Sequence, residues 1–165
     1  MIHSPNFNLI IKHFEGCKLT SYLDSRSIYT VGFGCIRIDG RAVKKGDLIT
    51  QDKADSMLAE EVSVFEVALN KMLGKVVITQ SMFDSLLSFQ YNLGSAALAG
   101  STLLKKVLAN SNDKSIKDEF IRWRNMGSSF EKGLLLRRLS EYHLYSTGKI
   151  EYNLLLDVLA IMRVN

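Results

Sequence analysis

Glu15, Asp24 and Thr30 are the residues near the start of the chain whose types and spacing could do chemistry. Two carboxylates on separate elements, with a hydroxyl near the second, can flank one small volume. Glycoside hydrolysis needs a carboxyl pair of this kind. One acid protonates the leaving oxygen, while the other carboxylate activates water or attacks the sugar. Taken singly, each residue has a plainer account. A Glu beside a helix stop is usually a solvated charge, an Asp in a Ser-rich loop an Asx-turn residue, and a Thr in a strand needs no explanation. Spacing alone leaves both accounts open.

The elements that must position these residues follow from local pattern. Ser4 can cap a short helix with Pro5 at its first position, where the missing N–H costs nothing. Phe7, Ile10, Ile11 and Phe14 then form one apolar stripe, and Gly16 supplies a stop. Glu15 therefore falls at a helix C-terminus, where the macrodipole does not favour a carboxylate's charge. From Cys17 to about Thr50 the pattern changes: Tyr29 to Ile38 is β-prone and Asp39-Gly40 is a turn signal, so two or three short antiparallel strands are expected in this segment. Thr50 can cap a long helix with apolar positions at Ala54, Met57, Leu58, Val62, Phe65, Ala68, Leu69 and Met72, ended by Gly74.

The remainder reads as short helices. Thr79 introduces Met82 to Leu93, Ser101 introduces Leu103 to Leu108, and Ser115 introduces Ile116 to Trp123. Gly133 precedes Leu134 to Tyr145, and Gly148 sets off Tyr152 to Val164, whose helical stripe of Leu154, Leu155, Val158, Leu159 and Met162 we expect to pack on the protein's own body. No repeat and no low-complexity linker interrupts the chain. The fold class is α+β: a small β-containing N-terminal lobe and a larger helical C-terminal lobe, joined by a long helix. We expect one domain over 1–165, with the N-terminal lobe at about 15–50, the connecting helix at about 51–73 and the helical lobe at about 79–165 together with the N-terminal helix.

Composition narrows the classes. The 165 residues are 47% hydrophobic and 23% charged, which supports a sizeable core and excludes global disorder. A net charge of +4 suits an anionic partner without choosing among nucleic acid, membrane surface and bacterial wall. Residues 105–149 carry ten basic and five acidic side chains, whereas 54–104 carry two basic and five acidic, so we expect a polarised surface. Cys17 and Cys35 lack zinc or redox spacing and read as two small buried or half-buried thiols. His3, His13 and His143 are scattered, so neither a metal nor another cofactor is expected. The early apolar run Leu9 to Ile11 stops at Lys12, and no secretory signal or membrane span is legible.

The segment from Glu15 to Gly34 resembles the phage-type lysozymes, or endolysins, of glycoside hydrolase family 24. Their pattern, Glu-Gly-x-x-Leu-x-x-Tyr-x-Asp, five residues, then Thr-x-Gly-x-Gly, is met by Glu15, Gly16, Leu19, Tyr22, Asp24, Thr30, Gly32 and Gly34. Later blocks are similar too: Phe83-Asp84 with Leu86, Ser88 and Phe89, Tyr91 to Gly94, Gly100 to Leu104, Phe120 with Arg122 and Trp123, and Gly133-Leu134 with Arg137, Arg138 and Glu141. The resemblance spans about residues 7 to 148. It implies a lysozyme-like fold and cleavage of the β-1,4 bond between N-acetylmuramic acid and N-acetylglucosamine. It casts Glu15 as the general acid, Asp24 as the second carboxylate and Thr30 as the hydroxyl that helps place water. Such enzymes are similar to inverting glycosidases, whose carboxyl groups stand about 6.5–9.5 Å apart. Two positions depart from the pattern: Cys35 where the family usually has His, and Ser27 where it usually has Gly. Ser27 is strained only if its φ is positive.

Substrate contacts are more open. Tyr91 can offer a ring to a sugar or belong to the core; Asn92 can offer an amide to an acetamido group or cap a helix end; Thr102 can face the cleft or cap the next helix. Arg137 and Arg138 can orient Glu15 or form a solvated basic face, the simpler account. Trp123 reads as a core anchor, and Cys35 as no nucleophile. The expected partner is the peptidoglycan glycan strand, met by a monomer without nucleic acid or stable membrane insertion. It would be held in the host cytoplasm until a separate pore-former opens the inner membrane. The competing class is a non-catalytic lysozyme-like protein for wall binding or virion structure, disfavoured by the intact Glu15, Asp24 and Thr30.

Overall fold

The computed structural model describes residues 1–24 and 26–163. The chain forms two compact units: Ile11–Val64, and Met1–Ile10 together with the chain from Phe65 onward.

The smaller unit takes the end of α1 (Pro5–Glu15), four short strands and the first half of α2 (Gln51–Leu73). Helix α1 starts as its sequence dictates: Ser4 Oγ accepts the Asn6 N–H, and Phe7, Ile10 and Ile11 are fully buried. Strands β1 (Lys18–Leu23) and β2 (Tyr29–Gly32) pair antiparallel, with Tyr22 opposite Thr30. Their register shifts between Lys18 and Tyr22 because the intervening backbone turns to residues 47–49 instead: Ser21 N–H bonds Asp47 O, and Ile49 N–H bonds Leu19 O. β3 (Arg37–Ile38) and β4 (Arg41–Ala42) form a second hairpin across Asp39-Gly40. Both turn residues have positive φ, 49° and 80°, as the tightest hairpins demand. Four short strands in two sheets thus replace the two or three expected between Cys17 and about Thr50, because β3 and β4 are only two residues each.

Helix α2 is capped by Thr50, whose Oγ1 accepts the Lys53 N–H. It buries Ala54, Met57, Leu58, Val62, Leu69 and Leu73, and ends at Gly74 with φ 58°.

The larger unit is built around α3 (Gln80–Leu93), α4 (Ser95–Gly100), α5 (Thr102–Ala109), α6 (Ile116–Ile121), α7 (Glu131–Thr147) and α8 (Leu155–Arg163). Nine consecutive α3 residues, Met82 to Gln90, are buried, so this helix has no solvent face at mid-length. Its buried polar residues find partners within the unit, Gln90 Oε1 excepted. Asp84 accepts from Ser4 and Gln80, Ser85 and Ser88 donate to Glu141, and Gln90 donates to Ser95. Thr79 and Ser101 cap α3 and α5 as expected. Ser115 stands at the N-cap of α6 as expected but makes no side-chain cap bond there; its own N–H and hydroxyl donate to Asp113 Oδ1, both at 2.8 Å. Helix α4 was not anticipated, and α7 begins at Glu131, ahead of Gly133. The final stretch, expected over 152–164, forms α8 from Leu155; residue 164 lies outside the described residues. Val158 joins Leu135 and Leu139 with Leu154 and Ile161 packed alongside, so α8 does pack on its own unit. Leu159 and Met162, assigned to its apolar stripe, are instead exposed, because the buried face runs through 154, 158 and 161.

Candidate active site

Glu15 is the last residue of α1, half-buried, with the helix ended by Gly16 at φ 66°. Asp24 follows β1 and is clamped by its own loop. Its Oδ1 accepts the backbone N–H groups of Arg26 at 2.9 Å and Ile28 at 2.8 Å. Its Oδ2 accepts both Nε and Nη2 of Arg26 at 3.1 Å, a fork-on-carboxylate pair. The Ile28 N–H, helped by Arg26, holds the Asp24 carboxyl below the usual range, against a partial loss of hydration. The loop closes through Ser27 N–H to Asp24 O and Asp24 N–H to Ile28 O, both 3.0 Å. Ser27 takes φ 61°, so the substitution for glycine does place an L-residue in left-handed backbone.

Thr30 is buried on β2, and its hydroxyl donates to Ile28 O at 3.0 Å. That bond commits the hydroxyl proton and leaves oxygen lone pairs to accept from another group. Tyr22, opposite Thr30, ties the constellation together. Its phenol is pushed above its ordinary value by burial first, then by the charges of Glu15 and Asp24. Both carboxylates therefore act on one ring within the same unit.

Cys35 is buried, and its S–H faces Glu61 Oε2 at 3.6 Å. Burial, followed by Glu61, pushes this thiol up to about 12, which removes it as a nucleophile at neutral pH. Cys17 corrects the expectation of two buried or half-buried thiols: it is exposed, lying in the connection between α1 and β1. Among the described residues no group of three or more His, Cys, Asp or Glu could hold a metal ion.

Tyr91, Asn92 and Thr102 belong to the larger unit. Tyr91 packs against Phe65 and edge-on to Phe7, with ring centroids 5.6 and 6.5 Å away. Thr102 is exposed at the first position of α5, and Ser101 rather than Thr102 supplies the cap. Asn92 Oδ1 accepts from Arg138 Nη2 at 3.0 Å. Arg137 and Arg138 are not a solvated face: they are 4% and 0% exposed and converge on the fully buried Glu141. Ser88 donates to the same carboxylate, and the Arg138 guanidinium lies over the Phe89 ring. Sequence reading missed Arg26 as the partner of Asp24. It also missed this buried ion network, whose one visible signal was the i,i+3 and i,i+4 spacing of the arginines to Glu141. Trp123 is half-buried, edge-on to Phe89, as an anchor of the helical core.

The family described as phage lysozyme matches residues 12–141. The chain belongs to the phage lysozyme family. It is 37% identical to an endolysin of Bacillus phage B103 over 142 residues, 85% of this chain and 52% of that protein. The chain thus spans about half the length of that relative. An endolysin of Salmonella phage P22 is 35% identical over 136 residues, 82% of this chain and 91% of its own length. Among solved structures, the endolysin from Escherichia coli O157:H7 phage FAHEc1 superposes with a TM-score of 0.84 at 36% identity. That match covers 92% of this chain and 97% of the other, so the lysozyme-like α+β fold holds over nearly all of the chain. Among the described residues no helix is long and apolar enough to cross a membrane.

Proposed function

We propose that this protein is a peptidoglycan muramidase, an endolysin that hydrolyses the β-1,4 bond between N-acetylmuramic acid and N-acetylglucosamine. The observation that carries the reading is the constellation itself: Glu15, Asp24 and Thr30 in one unit, both carboxylates acting on Tyr22. Family membership supports it. Glu15 gives its proton to the leaving glycosidic oxygen. Asp24, kept anionic by the Ile28 and Arg26 donors, faces the developing oxocarbenium charge and draws a proton from the attacking water. Thr30, its own proton committed to Ile28 O, accepts a hydrogen bond from that water and so orients it. No step needs a metal or other cofactor. Inversion follows if water attacks from the face opposite the leaving group.

Asn92 supplies a substrate contact through its amide, and the enzyme works as a monomer on glycan strands. It waits in the host cytoplasm and meets the wall when a separate pore-forming protein opens the inner membrane. Purified wild type and Glu15→Gln, incubated with isolated peptidoglycan, test the reading through turbidity and new reducing ends. Wild type should release reducing ends, with the first-formed anomer inverted by NMR, and Glu15→Gln should release almost none. Absence of reducing ends from wild type would sink the muramidase reading. Equal activity in the variant would remove Glu15 from its role. Products with 1,6-anhydro ends would mean transglycosylation instead of hydrolysis.

A further inference from the structure

Two shallow depressions of about 150 and 160 Å³ lie on the larger unit, and Tyr142 and Ser146 line both. The first is completed by Asn112, Asp113 and Lys114, the second by Lys117, His143 and Asp157. None of these residues belongs to the unit of Glu15, Asp24 and Thr30. The composition is that of a saccharide groove. A pyranose packs its C–H face on an aromatic ring and directs its hydroxyl rim to carboxylates, amides and hydroxyls. Tyr142 is the ring, half-buried, steadied by stacking on Tyr145 at 15° and by Phe120 at 6.2 Å between centroids. Each depression adds one acidic side chain and one exposed lysine. Helix α8, through Leu154 and Asp157 beside it, supplies a wall of the second, which gives the C-terminal segment a task beyond covering Leu135 and Leu139.

We propose that this groove is a second saccharide site, holding two adjoining sugars of the glycan strand, with Lys114 or Lys117 donating to the carbonyl oxygen of a muramyl lactyl group. The inference rests on the muramidase reading for the identity of the sugar. A second grip on an insoluble polymer raises the local concentration of strand without requiring tight binding at either site.

The test uses the full chain carrying Glu15→Gln, so that the glycan is not consumed. A soluble (GlcNAc-MurNAc)₂ tetrasaccharide is titrated while backbone amide shifts are followed by NMR. Shifts at Asn112, Lys117, Tyr142 and Ser146 are expected, smaller with chitotetraose, which lacks the lactyl group. Shifts confined to the neighbourhood of Glu15, Asp24 and Thr30 would overturn the site. Adding Ser146→Trp fills the groove from an exposed position without removing a core contact. It should weaken cosedimentation with purified sacculi by about tenfold, the scale of a modest avidity gain. Undiminished cosedimentation would overturn the proposal, and melting curves check that the variant folds. Reducing-end release by wild type on the same sacculi reports on the muramidase reading separately.

Discussion

Ser27→Gly should stabilise the protein, and the size of the gain follows from one dihedral angle. Ser27 holds φ 61° in the loop that clamps Asp24, flanked by the Arg26 and Ile28 amides that donate to its carboxylate. An L-residue in left-handed backbone is strained by about 1–2 kcal/mol, from the approach of Cβ to the carbonyl. Glycine relieves that strain but loses about 0.5–1 kcal/mol more conformational freedom on folding. The difference leaves about 0.5–1 kcal/mol in favour of Gly. For a chain of 165 residues this raises Tm by about 1–4 °C. Differential scanning calorimetry at neutral pH measures it. Two controls separate strain from loss of the hydroxyl. Ser27→Ala keeps the Cβ and should melt with wild type, whereas Ser27→Val adds β-branching and should melt lower. If Ser27→Gly melts no higher than wild type, or Ser27→Ala gains as much, the strain argument is wrong.

Asp24→Asn should flatten the acid limb of stability. The folded carboxyl titrates below the unfolded one, so its contribution is complete above the ordinary Asp range near ~4 and is lost as pH falls through the folded value; equal slopes for both proteins in urea melts across that range would refute the coupling. Glu141→Ala strands two buried guanidiniums and should remove about 3–5 kcal/mol, read by guanidinium denaturation, and a loss below about 1 kcal/mol would show the network to be dispensable. Iodoacetamide at mildly alkaline pH should label Cys17 alone in the native protein and Cys35 only after unfolding; mass spectrometry showing two native adducts would contradict the burial of Cys35.

Local signals carried most of the framework. Ser4, Thr50, Thr79 and Ser101 cap the helices they precede, and Asp39-Gly40 turns the second hairpin, because caps and tight turns are decided by the residues that make them. The grouping of the candidate site residues was legible for a related reason: Glu15, Asp24 and Thr30 fall within 16 residues, so short elements alone bring them into one unit. What escaped depends on partners distant in sequence. The bulged stretch of β1 is shaped by residues 47–49, and the burial of Arg137 and Arg138 depends on α3, which supplies Ser88, Phe89 and Asn92. An arginine beside a helical Glu looks the same in sequence whether the pair faces water or a second helix.

That ambiguity changes what the positive charge can do. Of the ten basic side chains in 105–149, Arg137 and Arg138 are consumed by Glu141, Lys106 is held by Glu119, and Arg124 by Glu131. Lys105, Lys114, Lys117, Lys132 and Lys149 remain exposed, as does Arg122 at 3.7 Å from Glu119, so attraction to an anionic wall must come from separated cations, not from the Arg137–Arg138 cluster that the composition suggests. Exposed charges of this kind are screened within about 10 Å at 0.1 M salt. Binding to sacculi should therefore weaken steadily as salt rises. Lys114→Glu with Lys117→Glu should remove more of that dependence than Lys105→Glu with Lys132→Glu, since only the first pair lines the groove beside Tyr142. Equal effects would leave a diffuse field as the cause; a larger effect of the first pair would mean that the wall is held at a place.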